Sequence, residues 1–270
     1  MKQFIVAAMA LCASQPAWSA GPAAEAADTW QFQAVLDLYL PTIGGTTTFP
    51  QSGAGSDVSV DAATILENLK MAFMGAMEAR RGRWGMFTDI LYVDLGNTKS
   101  GTRALSIGGR PLPADVSADA TFDLKGTGWT IEGTYRVLED PRRSLDLMAG
   151  ARLLDMKETL DWQLSGNVGS LPPAVRAGSQ AAKLSNWDAL VGAKGQFRLG
   201  SGGAWFVPYY VDVGTGESKL TWQAVGGIGY GFRWGDIIAA WRHIDYQMES
   251  GKSIERLSFD GPMIGAAFHW

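Results

Sequence analysis

The chain has 270 residues, with 23 Lys and Arg against 27 Asp and Glu, a formal net charge of −4, 46% hydrophobic residues, 34 Gly, 11 Trp and 11 Phe. A mildly acidic balance without a basic stripe argues against nucleic acid as a partner, and a single cysteine excludes a disulfide framework and a cysteine metal site. Beyond its first twenty residues the sequence has no apolar run near the roughly 20 residues that a membrane helix needs, so its aromatic and glycine surplus has another origin.

Lys2 precedes the apolar run FIVAAMALCA and then SQPAWSA, in which Ala17 and Ser19 are small residues two apart. This reads as a cleaved secretory signal over 1–19, because the run is too short for a spanning anchor. Cys12 lies inside the signal, and Leu11 before it lacks the small residue of a lipoprotein site, so the mature chain, 20–270, is expected to be one thiol-free domain.

In WQFQAVLDLYL the residues Trp30, Phe32, Ala34, Leu36, Leu38 and Leu40 share a face opposite Gln31, Gln33, Val35, Asp37 and Tyr39. That is a strand with one oily and one wet side. In VDAATILENLK, Asp61 suits a helix cap and Ile65, Leu66 and Leu69 recur at helical spacing, which predicts a short helix over 61–70, either packed on a rim or inserted as a plug or lid. Alternation returns in WTIEGTYRV, where Trp129, Ile131, Tyr135 and Val137 oppose Thr130, Glu132, Thr134 and Arg136. It returns again where Trp222, Ala224, Ile228, Tyr230, Phe232 and Trp234 oppose Thr221, Gln223 and Arg233. On this reading Ile228 faces lipid near midspan and Gly227 faces the interior. The last residues, PMIGAAFHW, set Pro262, Ile264, Ala266, Phe268 and Trp270 on one face.

Candidate strands fall at 30–41, 70–80, 83–95, 120–138, 143–164, 184–199, 204–214, 218–234, 236–248 and 254–270. About ten strands with aromatics near their ends, as at Trp222 and Trp234, predict an all-β fold, a closed antiparallel up-and-down transmembrane β-barrel. Eight strands is the alternative count, and a soluble sandwich the alternative fold. RRG, EDPRR, GSGG and WGD then serve as short turns on one side, and 42–69, 96–119 and 165–183 as long outer loops. In DVGTGESK, Asp212 and Glu217 flank Gly214 and Gly216, read as a hairpin turn with glycines at positive φ and not as a calcium loop.

The signal, the paired-strand rhythm and the aromatic-terminated last strand resemble the outer-membrane β-barrels of Gram-negative bacteria. The stretches EARRGRWGMFTDILYVDLG and PYYVDVGTGESKLTWQAVGGIGYGFRWGD are similar in style to small OmpA- or OmpW-type barrels. The resemblance implies outer-membrane lipid as surroundings, with the barrel assembly machinery and periplasmic chaperones as partners during biogenesis. It also implies that Ile264, Phe268 and Trp270 form the assembly signal.

With the apolar face outward, the inward set comprises Glu78, Arg80, Asp89, Glu132, Arg136, Asp188, Lys194, Arg198, Asp212, Arg233 and Arg242. Both signs are present, so pairing within a narrow, largely filled lumen is expected. Such a network locks the barrel in a structural role or lines a narrow path for limited small-solute transport. A surface adhesin acting through the outer loops is another reading. A hydrolase is a further one: His243 and Asp245, two apart, resemble half of the Asp and His set of omptin proteases, and Ser218, Ser250, Ser253 or Ser258 would have to serve a lipid hydrolase. No spacing selects among these, so catalysis is not the expectation. His243 reads as an interfacial residue at the outer rim with Tyr246, and His269 as part of the inner rim. No cofactor and no metal is expected.

Overall fold

The computed structural model describes residues 29–47, 56–60, 62–100, 106–107, 110–111, 116–166, 174–200, 203–249 and 254–270; the signal at 1–19 lies outside them. In chain order the elements are β1 (Trp30–Tyr39), β2 (Thr42–Thr47), β3 (Ser56–Val60), α1 (Ala62–Glu67), β4 (Leu69–Arg81), β5 (Trp84–Ser100), β6 (Ser106–Ile107) and β7 (Arg110–Pro111). They continue with β8 (Val116–Asp140), β9 (Arg143–Gly166), β10 (Ala174–Leu199), β11 (Trp205–Gly216), β12 (Ser218–Gly231), β13 (Asp236–Met248) and β14 (Ile254–His269). Ten of the strands pair in the order β1-β4-β5-β8-β9-β10-β11-β12-β13-β14, and β14 returns to β1, from Gln33 opposite His269 to Tyr39 opposite Met263. Backbone bonds of 2.9 and 3.1 Å between Phe32 and Trp270 complete the closure. Closure leaves no exposed sheet edge where β1 pairs with both β14 and β4, and the strand count is ten, not eight.

Alternation places the apolar side chains outside. Leu36, Leu38, Leu147, Val191, Val211, Ile228 and Ile264 are all exposed on the wall, an arrangement that water penalises and hydrocarbon favours. Two aromatic rows bound this band. At the short-turn end, Trp205, Tyr230, Phe232, Trp234 and Phe268 follow one another with ring centroids 4.7–5.7 Å apart. At the other end Trp129 meets Trp187, and Trp222 lies against His243. On β10 the rows are marked by Trp187 and Phe197, about 33 Å apart along an extended strand and so about 25 Å apart once a tilt of roughly 40° is allowed for. Val191 lies near the middle of that span. Ile228 is outward and exposed, but it stands two residues from Tyr230 and so nearer the turn-side row than the midplane.

Several expectations are corrected by the strand pairing. The wall extends far above the upper aromatic row on one side. β8 and β9 pair from Asp140 and Arg143 up to Val116 and Gly166, with one register shift between Arg136 and Leu138, and β9 and β10 pair up to Gly166 and Ala174. Residues 96–100 and 116–119 of the loop expected at 96–119, and 165–166 and 174–183 of the one expected at 165–183, are therefore strand, and Ser106–Ile107 pairs with Arg110–Pro111 as a separate small sheet. A strand standing in water needs no apolar face, so alternation fades there while backbone pairing continues. The helix is present but shorter than 61–70: Leu69 is drawn into β4 opposite Leu95, Asn68 O accepts from Gly96 N at 3.0 Å, and Asp61 lies outside the described residues. Gly214 and Gly216 do not take positive φ; Gly82, Gly200 and Gly203 do, at 60, 70 and 62°, in two of the short turns. Gly214 belongs to β11, where a Cβ would run into the Ala189 carbonyl of β10.

Near the outer end the ring is interrupted between β1 and β4. Their pairing stops at Leu36 opposite Gly75. Beyond Leu40 and Pro41, β2 carries the chain on beside β14 and pairs with β3. Tyr39 N–H, left without a ladder carbonyl, donates to Met74 Sδ at 3.2 Å. Beside this break the barrel interior is apolar: Tyr39, Leu154, Ile244, Tyr246, Met248, Leu257 and Phe259 form one buried cluster. The outer half of the lumen is thus apolar beside the charged set expected from the sequence.

Candidate functional site in the barrel lumen

Below the apolar cluster the interior is crossed by ion pairs. Arg242 of β13 reaches Asp89 of β5, four strands away around the wall, with Nη2 to Oδ1 at 2.7 Å and Nη1 to Oδ2 at 3.2 Å. Lys194 of β10 reaches Glu78 of β4, also four strands away, with its ammonium 4.6 Å from the Phe87 ring centroid. Between them lies Arg152 of β9, 2% exposed. It pairs with Asp212 and donates from Nε to Thr130 Oγ1 at 3.0 Å and from Nη2 to Gln223 Oε1 at 3.1 Å. Gln223 Oε1 also accepts from Arg242 Nη2 at 3.2 Å, which joins the two arginines. The Tyr39 hydroxyl donates to the Arg242 carbonyl at 3.1 Å, and its ring centroid lies 5.5 Å from the guanidinium. Each of these buried charges thereby has an opposite charge, and the two arginines share Gln223 as a further partner, which lowers the cost of burying them.

One hydroxyl joins two acids of the network. Tyr210 Oη lies 2.9 Å from Glu132 Oε2 and 2.6 Å from Asp212 Oδ2. The hydroxyl is a donor within reach of both carboxyl groups. Asp212 also pairs with the Arg152 guanidinium. Glu132→Gln, which keeps the shape and an oxygen to accept from the Tyr210 hydroxyl, is expected to change unfolding free energy by no more than about 1 kcal/mol, read from urea unfolding of the protein in lipid vesicles.

No protein-family model matches the chain, and no curated protein does. Solved structures similar in architecture include the outer-membrane protease OmpT of Escherichia coli (9% identity, 89% of this chain and 95% of that chain, TM-score 0.46). Others are the attachment invasion locus protein Ail of Yersinia pestis (10% identity, 90% and 99%, TM-score 0.30) and the toluene transporter TodX of Pseudomonas putida (11% identity, 91% and 90%, TM-score 0.29). The likeness is one of fold.

Of the residues predicted to face inward, Glu78, Asp89, Glu132, Lys194, Asp212 and Arg242 meet in the network just described. Asp188 stands higher, accepting the Ser218 N–H at 2.7 Å. Arg136 forms a separate group near the turn end with Asp146 and with Glu139 at 3.0 Å. Arg80 is half-buried, with an Nη1 that meets no acceptor among the described residues. Arg198 is exposed at its turn, donating to Gly203 O at 3.0 Å. Arg233 does not face the lumen. β12 ends at Gly231, the chain turns with Phe232 N bonded to Gly235 O at 2.7 Å, and Arg233 is exposed within that turn. Sequence reading missed Arg152, Asp146 and Tyr210 as parts of the interior.

The residues considered for catalysis are dispersed. His243 is outward, and its Nδ1 lies 2.8 Å from Asp260 Oδ1, which also accepts from Trp241 Nε1 at 3.1 Å. Asp245 pairs with Arg256 at 2.8 Å instead of His243, and Tyr246 is buried inside the lumen, not at the rim with His243. Ser218 is buried, while Ser258 donates to Gly44 O at 3.3 Å. Ser250 and Ser253 lie outside the described residues. His269 lies 2.8 Å from Asp236 at the turn end. Among the described residues no group of three or more His, Cys, Asp and Glu is placed to hold a metal ion.

Proposed function

We propose that the protein is an integral outer-membrane β-barrel whose lumen is closed to hydrated ions, serving a structural role with at most a thin path for small solutes. The observation that carries this reading is the pair of rungs, Arg242 to Asp89 and Lys194 to Glu78, each spanning the barrel between strands four apart. A hydrated ion would have to separate paired charges that are largely buried, a large cost. Lipid covers the apolar band, and export precedes insertion. Chaperones and the barrel assembly machinery handle the chain before closure, the latter reading Ile264, Phe268 and Trp270 on the outward face of the last strand.

Planar-bilayer recording tests the reading. The wild type is expected to be silent, and Arg242→Ala, which removes one rung, to show small discrete openings while still migrating as a folded, heat-modifiable barrel. Steady wild-type conductance would overturn the closed lumen.

A further inference from the structure

Above the ion pairs the lumen holds a pocket walled by Leu91, Leu154, Met156, Ile244, Tyr246 and Phe259. Two glycines of β8 set its wall back. Gly126 and Gly128 occupy inward positions between Leu124 and Thr130, and neither has the positive φ that would call for glycine. A Cβ at Gly128 would meet nothing closer than Leu91 Cβ at 3.7 Å, and one at Gly126 would meet Val93 Cγ1 at 3.4 Å. Side chains would fit there, and glycine inside a strand costs stability. What the two glycines provide is space.

The floor of the pocket is polar and incompletely bonded. Arg152 and Arg242, 2% and 4% exposed, both line it. Arg152 Nη1 and Arg242 Nε are buried with no acceptor among the described residues, although the charge of each guanidinium is already matched, by Asp212 and Asp89. The floor therefore asks for a hydrogen-bond acceptor and not for another negative charge. An apolar wall with a few convergent polar groups is the usual form of a small-molecule site.

We propose that this pocket binds an uncharged, apolar small molecule bearing one hydrogen-bond acceptor, such as a carbonyl oxygen. Its body lies against Leu91, Met156 and Phe259 in the space left by Gly126 and Gly128, and its oxygen accepts from Arg152 or Arg242. A carboxylate is disfavoured because it would bring a third acid beside Asp89 and Asp212.

The test is methyl NMR of the folded, full-length mature barrel in micelles, with labelled methionines. Met156 reports the pocket, and outward Met77, 53% exposed, reports partition of the probe into detergent. Acetophenone is expected to shift Met156 saturably while Met77 responds without saturation. Ethylbenzene, which lacks the acceptor, should bind about tenfold more weakly, the ratio expected for a hydrogen bond to a charged donor. Benzoate should not saturate Met156, and Gly128→Leu should abolish the acetophenone response. Absence of a saturable Met156 shift in the wild type would overturn the site. So would an unchanged response in folded Gly128→Leu, or benzoate binding as tightly as acetophenone. The wild-type comparison among the three probes needs no variant to fold, and it is independent of whether the barrel conducts.

Discussion

Arg152→Ala is expected to destabilise the barrel by about 3–5 kcal/mol, because it strands a carboxylate in a dry interior. The side chain of Asp212 is fully buried and that of Arg152 is 2% exposed. Removing the guanidinium also takes a donor from Thr130 and another from Gln223. The second half of the prediction separates pairing from packing. Arg152→Met together with Asp212→Leu removes both charges and keeps volume, so it is expected to recover to within about 1–2 kcal/mol of the wild type, since buried pairs replaced as a unit are often near neutral. Urea unfolding in vesicles, followed by tryptophan fluorescence, checks both. A double variant as unstable as Arg152→Ala would mean that the pair acts through its hydrogen-bonded neighbours and not through charge balance. The exposed pair of Arg143 and Asp140, at 2.8 Å, supplies the contrast: it sits at a turn in water, where such pairs contribute about 0.2–1 kcal/mol.

The barrel was readable wherever the two faces of a strand differ in polarity. β1, with Gln, Gln and Asp against Trp, Phe and Leu, and β8, with Thr130, Glu132, Thr134 and Arg136 against Trp129, Ile131 and Tyr135, declare their orientation directly. β9 does not. Its inward residues Asp146, Met148, Arg152 and Leu154 mix charge with apolar bulk, and its outward residues are Leu and Ala, so neither parity stands out and Arg152 went unread. The same ambiguity hides the apolar outer lumen: in β5, Leu91, Val93 and Leu95 face inward while Ile90 and Tyr92 face out. Arg233 shows the opposite limit: the alternation of β12 runs on in the sequence past Gly231 into a turn, where parity no longer assigns a face. Partner choice was beyond periodicity altogether. That Lys194 meets Glu78 follows from the register and closure of ten strands, a property of the whole ring and not of any window of sequence.

A single charge on the outer wall tests the membrane reading at the level of one residue. Val191 is 59% exposed on β10, between Trp187 and Phe197 of the two aromatic rows. Its cross-strand neighbours are Ala149 of β9 and Val213 of β11, none of which offers an arginine a polar partner. Val191→Arg is expected to cost about 2–4 kcal/mol in a bilayer, the range for arginine at the midplane of a lipid-facing barrel wall. Ile228→Arg, two residues from Tyr230, should cost less, because the guanidinium can extend along the wall to the interface. In water both positions would be ordinary exposed sites, and arginine there would change stability by no more than about 0.5 kcal/mol. The ordering therefore discriminates. A large effect at 191 with a smaller one at 228 fits a lipid-covered band bounded by the aromatic rows, and near-equal small effects at both would place the wall in water.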